Sequence, residues 1–198
     1  MNRKAYVFLG VMAIAVGCSH PGTPHLPALT AAADSVSMGM TELAQWSPDS
    51  LVALRKRVEE RMKDLSWLME DSLMDFSLDE AQLIGDWTRV RRFVKDAPER
   101  LNQLKTEGQR CQQQLEGLAQ AIREGAEVDA QGTAMDEAYV ERETQRELLA
   151  VRAWQSMLED TQRMASAGTQ LEGETRAAID SLIVAKRAIW AQRIAGSE

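Results

Sequence analysis

Proline is nearly missing from most of this chain. Four of its five prolines lie at or before Pro48, and Pro98 is the only one after it. Glycine is sparse too, at 12 in 198 residues. So few breakers suit a β-sandwich with many turns poorly and suit long helices. Histidine and cysteine number two each, His20 and His25, Cys18 and Cys111. Metal sites of the zinc type need several such ligands at close spacing. The chain has no Glu-x-x-His, Cys-x-x-Cys, Gly-x-Ser-x-Gly or Gly-rich phosphate loop. A non-catalytic protein without metal or cofactor is therefore expected. The net charge of −7 argues against nucleic acid, whose phosphates need clustered cations.

What is present begins with a leader. Arg3 and Lys4 precede an apolar run of 12 residues, Ala5 to Val16. A membrane-spanning helix needs about 20, so the run fits a secretory signal over 1–17. Its end, "AVGC", resembles the lipobox of bacterial lipoprotein precursors, with Ala15 where that family usually has Leu. The resemblance covers the first 18 residues. It implies cleavage before Cys18, a diacylglycerol on its sulfur and an acyl chain such as palmitate on its new amine. Loss of Arg3 and Lys4 would take the net charge from −7 to −9. Two or three acyl chains hold a protein on a membrane at ~0.8 kcal/mol per buried methylene. Ser19, not Asp, follows the cysteine; by the same resemblance this implies the outer membrane, facing the periplasm.

Residues 18–46 hold "SHPGTPHLP" and an alanine-rich stretch. They are expected to form a flexible tether with a reach of roughly 30 Å. A short helix over 28–44 is the most that the pattern allows. His20 and His25 are then solvated linker residues.

Residues 47–195 are expected to be one helical domain. Ser47-Pro48-Asp49 supplies a cap, a first-turn proline and an acidic first turn. The first helix, about 49–75, carries Leu51, Leu54, Val58, Met62, Leu65 and Met69 on one face. Ser77 with Glu80 forms a capping box. The second helix, about 78–124, has a heptad seam from Leu83 and Trp87 to Leu118 and Ile122. Pro98 lies inside it, and one helix kinked near Val94 is expected. The third runs from about Thr133 to Arg193 with a seam through Trp154, Met157, Thr161, Met164, Gly168, Leu171, Thr175 and Ala178, widened by Leu158, Ala165, Ile179 and Ile183.

The short "GAEVDAQG" turn pairs the second and third helices as an antiparallel hairpin, with Ile122 near Met135 and Leu118 near Tyr139. The first helix folds onto the start of the second and brings Trp67 near Trp87. The expected fold is all-α: a three-helix bundle extended by a long antiparallel coiled-coil hairpin, mobile at its tip.

Cys111 falls on the seam and is expected to be packing; an intermolecular disulfide is the other reading. Trp46 and Trp190 are candidates to face a partner or the bilayer interface. Arg91 and Arg92 belong to a basic run, read as a solvated face or a small anionic docking patch. "GDWTRVRRFVKDAPERL" and "QQQLEGLAQAIREG" resemble uncharacterised coiled-coil lipoproteins of bacterial envelopes. The functional expectation is a lipid-anchored, non-catalytic envelope scaffold or adaptor with a protein partner, marked by an apolar strip beyond residue 180. A periplasmic holdase is the alternative, and a small-ligand or lipid carrier the third reading.

Overall fold

The computed structural model describes residues 20–71 and 74–195. The signal segment and Cys18 lie outside the described residues. Those described are all-α: a 3₁₀ turn at Thr23–His25, then α1 (Leu26–Leu43), α2 (Pro48–Glu70), α3 (Leu78–Val94), α4 (Ala97–Arg123) and α5 (Glu137–Ala195). The five helices make three parallel-sided rods. α1 and α2 form the first rod, α3 and α4 return as the second, and α5 is the third. α5 alone has 59 residues, about 88 Å at 1.5 Å each.

The expected caps are in place. Ser47 Oγ accepts from the Ser50 N–H at 3.2 Å, with Pro48 in the first turn. Ser77 and Glu80 form the reciprocal box: Glu80 N–H donates to Ser77 Oγ at 3.3 Å, and Ser77 N–H to Glu80 Oε2 at 2.7 Å.

The tether expected over 18–46 is corrected from residue 20 onward. α1 lies along α4 and α5, with Leu29, Ala32, Val36, Gly39 and Leu43 buried. Those positions step by three and four, which is a core face. The hairpin is therefore no two-helix arm. α1 covers α4 and α5 where α2 ends its reach, and three rods run the whole length.

The kink expected near Val94 is a break at Lys95 and Asp96. Pro98 falls in the first turn of α4, where a missing N–H costs nothing. Arg55 of α2 closes the gap, its Nη1 donating to Lys95 O at 2.8 Å and to Glu99 at 2.7 Å. α3 and α4 do not fold on each other; they follow one another along α5.

On α5 the interior row is Val140, Thr144, Glu147, Val151, Trp154, Leu158, Thr161, Ala165, Gly168, Glu172, Thr175, Ile179, Leu182 and Lys186. Half of the expected seam is thus correct. The other half sits one residue late: Met157 is exposed and Leu158 points inward. Trp87 meets α2 at Val58, whose carbonyl accepts from the indole at 3.4 Å, not at Trp67.

A tight interlocking occurs around Trp154. Its Nε1 donates to Leu104 O at 2.8 Å. The ring lies against Gly39 of α1 and Gly108 of α4, where an added Cβ would come within 2.7 and 2.9 Å of it. Two rods approach closely enough to hold the indole only because both positions lack a side chain.

Candidate functional site

The two ends of the bundle differ in chemistry. At one end, α4 stops at Gly125, whose φ of 70° places it in the left-handed region that glycine favours. The turn to α5 is organised by Asp129. Its Oδ1 accepts from the N–H groups of Thr133 (2.8 Å) and Gln131 (2.9 Å), and its Oδ2 from Tyr139 OH (2.8 Å). These bonds, Thr133 first and Tyr139 next, hold the Asp129 carboxyl below the usual range. Burial first, then Asp129, pushes the Tyr139 phenol up.

The N-terminal segment docks against this turn. His20 Nδ1 accepts from the Gly22 N–H at 3.0 Å, and Nε2 lies 3.1 Å from Ala126 O. Both contacts are satisfied by the tautomer protonated on Nε2. His25 Nε2 lies 3.3 Å from Glu141. Neither histidine is the free linker residue expected.

At the other end, α5 finishes beside the α2–α3 connection. Trp190 is half-buried, with its ring edge-on to Trp67 at 4.8 Å and 64°. Arg187 pairs with Asp64 at 2.6 Å beside them. Trp67, Met69, Val184, Ile189 and Ile194 are exposed here, and Leu78 is 84 % exposed. The apolar strip expected beyond residue 180 is thus a set of separated side chains around a tryptophan pair.

Lys186 closes this end from inside. Its Nζ donates to Asp75 O at 2.7 Å and pairs with Glu80 at 2.9 Å, and it lies over the Phe76 ring at 4.8 Å. Lys186 first, then the Ser77 N–H, hold the Glu80 carboxyl below its ordinary range. The capping carboxylate of α3 thus also serves as counter-ion to a core lysine. Sequence reasoning missed this, as it missed Glu172, a seam residue paired with Arg176 at 2.5 Å and Arg57 at 3.5 Å. Arg at 57 and Glu at 172 share no local motif, so only the fold reveals them.

The sequence-predicted residues are not brought together. Arg91 faces an open groove of about 360 Å³ with Met62, Trp67 and Glu70. Arg92 faces a narrow cleft beside Phe93 and Thr161. Trp46 is half-buried at the α1–α2 junction, lining a groove of about 350 Å³ with Met40, Leu43 and Leu101. It is 21 positions from Trp67 in the first rod, so roughly 30 Å separates them at helical rise.

Cys111 is free and buried. Burial, ahead of the neighbouring charges, pushes its thiol up, which disfavours the thiolate. Among the described residues no group of three or more His, Cys, Asp or Glu is placed to hold a metal ion. No described helix is long and apolar enough to cross a membrane. Compared with protein families, curated proteins and solved structures, the chain matches none of them.

Proposed function

We propose that the protein is a lipid-anchored, non-catalytic scaffold or adaptor of a bacterial envelope, held by acyl chains on Cys18 at the periplasmic face of the outer membrane. The observation that carries the scaffold reading is the unbroken buried row of α5, from Val140 to Lys186, in which Val94 and Phe93 of α3 close over Gly168. A rod of about 88 Å with interlocked glycine and tryptophan layers suits holding two things at a fixed separation. The exposed Trp67, half-buried Trp190 and exposed Ile194 at its far end have the amphipathic aromatic chemistry that protein interfaces favour. The anchor reading rests on "AVGC" at 15–18.

Two measurements test it. Cys18→Ser should release the protein from membranes; unchanged partitioning removes the anchor. A photo-crosslinking residue at Ile194 should capture a defined envelope protein in intact cells, and one at Glu116 should not. Equal capture at both sites, or at neither, removes the adaptor reading.

A further inference from the structure

We infer that the bundle stands upright on the membrane with its α4–α5 turn against the lipid headgroups, so that the Trp67–Trp190 end is held some 80 Å or more away. This rests on the anchor at Cys18 proposed above.

The support is how firmly the segment next to Cys18 is fixed. His20 is held by Ala126 O and by the Gly22 N–H, and Thr23 Oγ1 donates back to His20 O at 2.8 Å. Gly22 is wedged between α4 and α5: an added Cβ would come within 2.8 Å of both Ile122 and Val140. His25 reaches Glu141. From His20 to Cys18 is two peptide units, at most about 7.6 Å between Cα atoms. The anchor point is thus tied to one end of the rod rather than to a tether of roughly 30 Å.

Charge decides between standing and lying. Lying flat needs a basic or broadly apolar flank, since juxtamembrane cations supply about 1 kcal/mol each near anionic lipid. Loss of Arg3 and Lys4 leaves the acylated chain at −9, Arg89 and Lys95 of the basic run are paired with Asp86 and Asp96, and the exposed apolar residues of α5 before its midpoint, Leu149 and Met157, stand singly. The turn itself carries Glu124, Glu127 and Asp129 and rests at the headgroups without inserting. Val128 at its tip is 53 % exposed.

The test uses the acylated protein in vesicles of phosphatidylethanolamine and phosphatidylglycerol that contain a headgroup-nitroxide lipid. A fluorophore is placed by Val128→Cys or Ile194→Cys, each with Cys111→Ala. Vesicle flotation is scored first, and circular dichroism checks the helix content of each variant. Floating protein should show quenching several-fold stronger at position 128 than at 194. The double variant His20→Ala, His25→Ala should float equally and lose much of that difference. Equal quenching at both positions means a rod lying flat. No quenching at either means a loose tether. Each of those outcomes in floating protein overturns the upright bundle and leaves the anchor standing. Failure to float overturns the anchor and the orientation with it.

Discussion

Replacing Gly39 by alanine separates a packed α1 from a tether. In an isolated helix the change is favourable, because glycine costs about 0.5–1 kcal/mol relative to alanine. In the bundle, the new Cβ would lie 2.7 and 2.8 Å from Cη2 and Cζ3 of Trp154 and 2.9 Å from Leu158 Cδ2. Carbon pairs rest at about 3.5–4.0 Å, so something must move by close to 1 Å. The indole is poorly placed to yield. Its Nε1 is bonded to Leu104 O at 2.8 Å, and Gly108 backs its other side. Overpacking of this kind costs about 1–3 kcal/mol. After the helix gain, Gly39→Ala should destabilise by about 1–2 kcal/mol, lowering Tm by roughly 3–6 °C for a chain of this size.

The controls carry opposite sign. Gly85, Gly117 and Gly173 are helical, and an added Cβ meets nothing within 4 Å at any of them. Each alanine there should stabilise by about 0.5–1 kcal/mol. Urea melts of the four variants, followed by circular dichroism, supply the comparison. A Trp154→Phe background should remove most of the Gly39→Ala cost, giving a double-mutant coupling of about 1 kcal/mol. A Gly39→Ala variant that stabilises like the controls would refute the placement of α1 beside Trp154.

Acidification should weaken the fold. The carboxyls of Glu80, Glu99 and Asp129 are held below their ordinary range by Lys186, Arg55 and the Thr133 N–H respectively. The unfolded chain then binds protons first, so their stabilisation is full above about pH 4.5 and is lost as pH falls through the depressed folded values. A Tm that stays level from pH 7 to pH 3 would contradict this; Glu80→Gln should flatten the acid limb. Removing Glu80 also leaves a core lysine without its counter-ion. Glu80→Gln should cost about 2 kcal/mol by urea melt at pH 7, under the 3–5 of a fully buried pair because the Glu80 side chain is 30 % exposed. Arg55→Met should cost about 1–1.5 kcal/mol, since it frees Lys95 O as well as Glu99, whereas Glu99→Gln alone should have a much smaller effect, because the pair is solvent-exposed on the Glu99 side. Thr144 Oγ1 and Thr161 Oγ1 are buried with no hydrogen-bond partner. Thr161→Val keeps the shape and removes an unsatisfied hydroxyl, so it should raise stability by about 1 kcal/mol in the same melts; a loss would show that the hydroxyl is satisfied.

What was legible in the sequence was whatever could be read from apolar spacing and caps. The starts of α2 and α3 follow from Ser47-Pro48 and from Ser77 with Glu80. The α4 seam through Leu101, Leu104, Cys111 and Leu115 is apolar throughout and read correctly. α1 was hidden by its small residues: Ala32 and Gly39 supply two of its five buried positions and look like linker. Gly39 is small because Trp154 and Leu158 fill the space it leaves. On α5, Glu172 and Lys186 do not enter the seam that apolar spacing picks out, because charge normally faces water. They are buried beside Arg57, Arg176 and Glu80, partners that come from other helices or one turn away. Of the candidate site, the sequence marks the tryptophans, but folding the first helix onto the second by apolar spacing puts Trp67 beside the wrong neighbour. Its pairing with Trp190 depends on the register of α2 against α5, which no local pattern encodes.

Register is also where the irregular residues act together. Three rods with heptad seams can slide past one another by seven residues, about 10.5 Å, and still bury apolar rows. A slide of that size would carry Trp154 from Gly108 onto Leu101 or Leu115, which have no room for an indole. It would also part Glu172 from Arg57 and Lys186 from Glu80; Glu172 keeps Arg176 of its own helix, but Lys186 is left buried without its counter-ion, at several kcal/mol. Each feature that looks like a flaw in the seam is compatible with one alignment only. The glycine notch fixes the half containing α1 and α4, and the ion pairs fix the half containing α2 and α3. A rod whose ends must stay a set distance apart needs both halves specified, because apolar layers alone leave neighbouring registers close in energy.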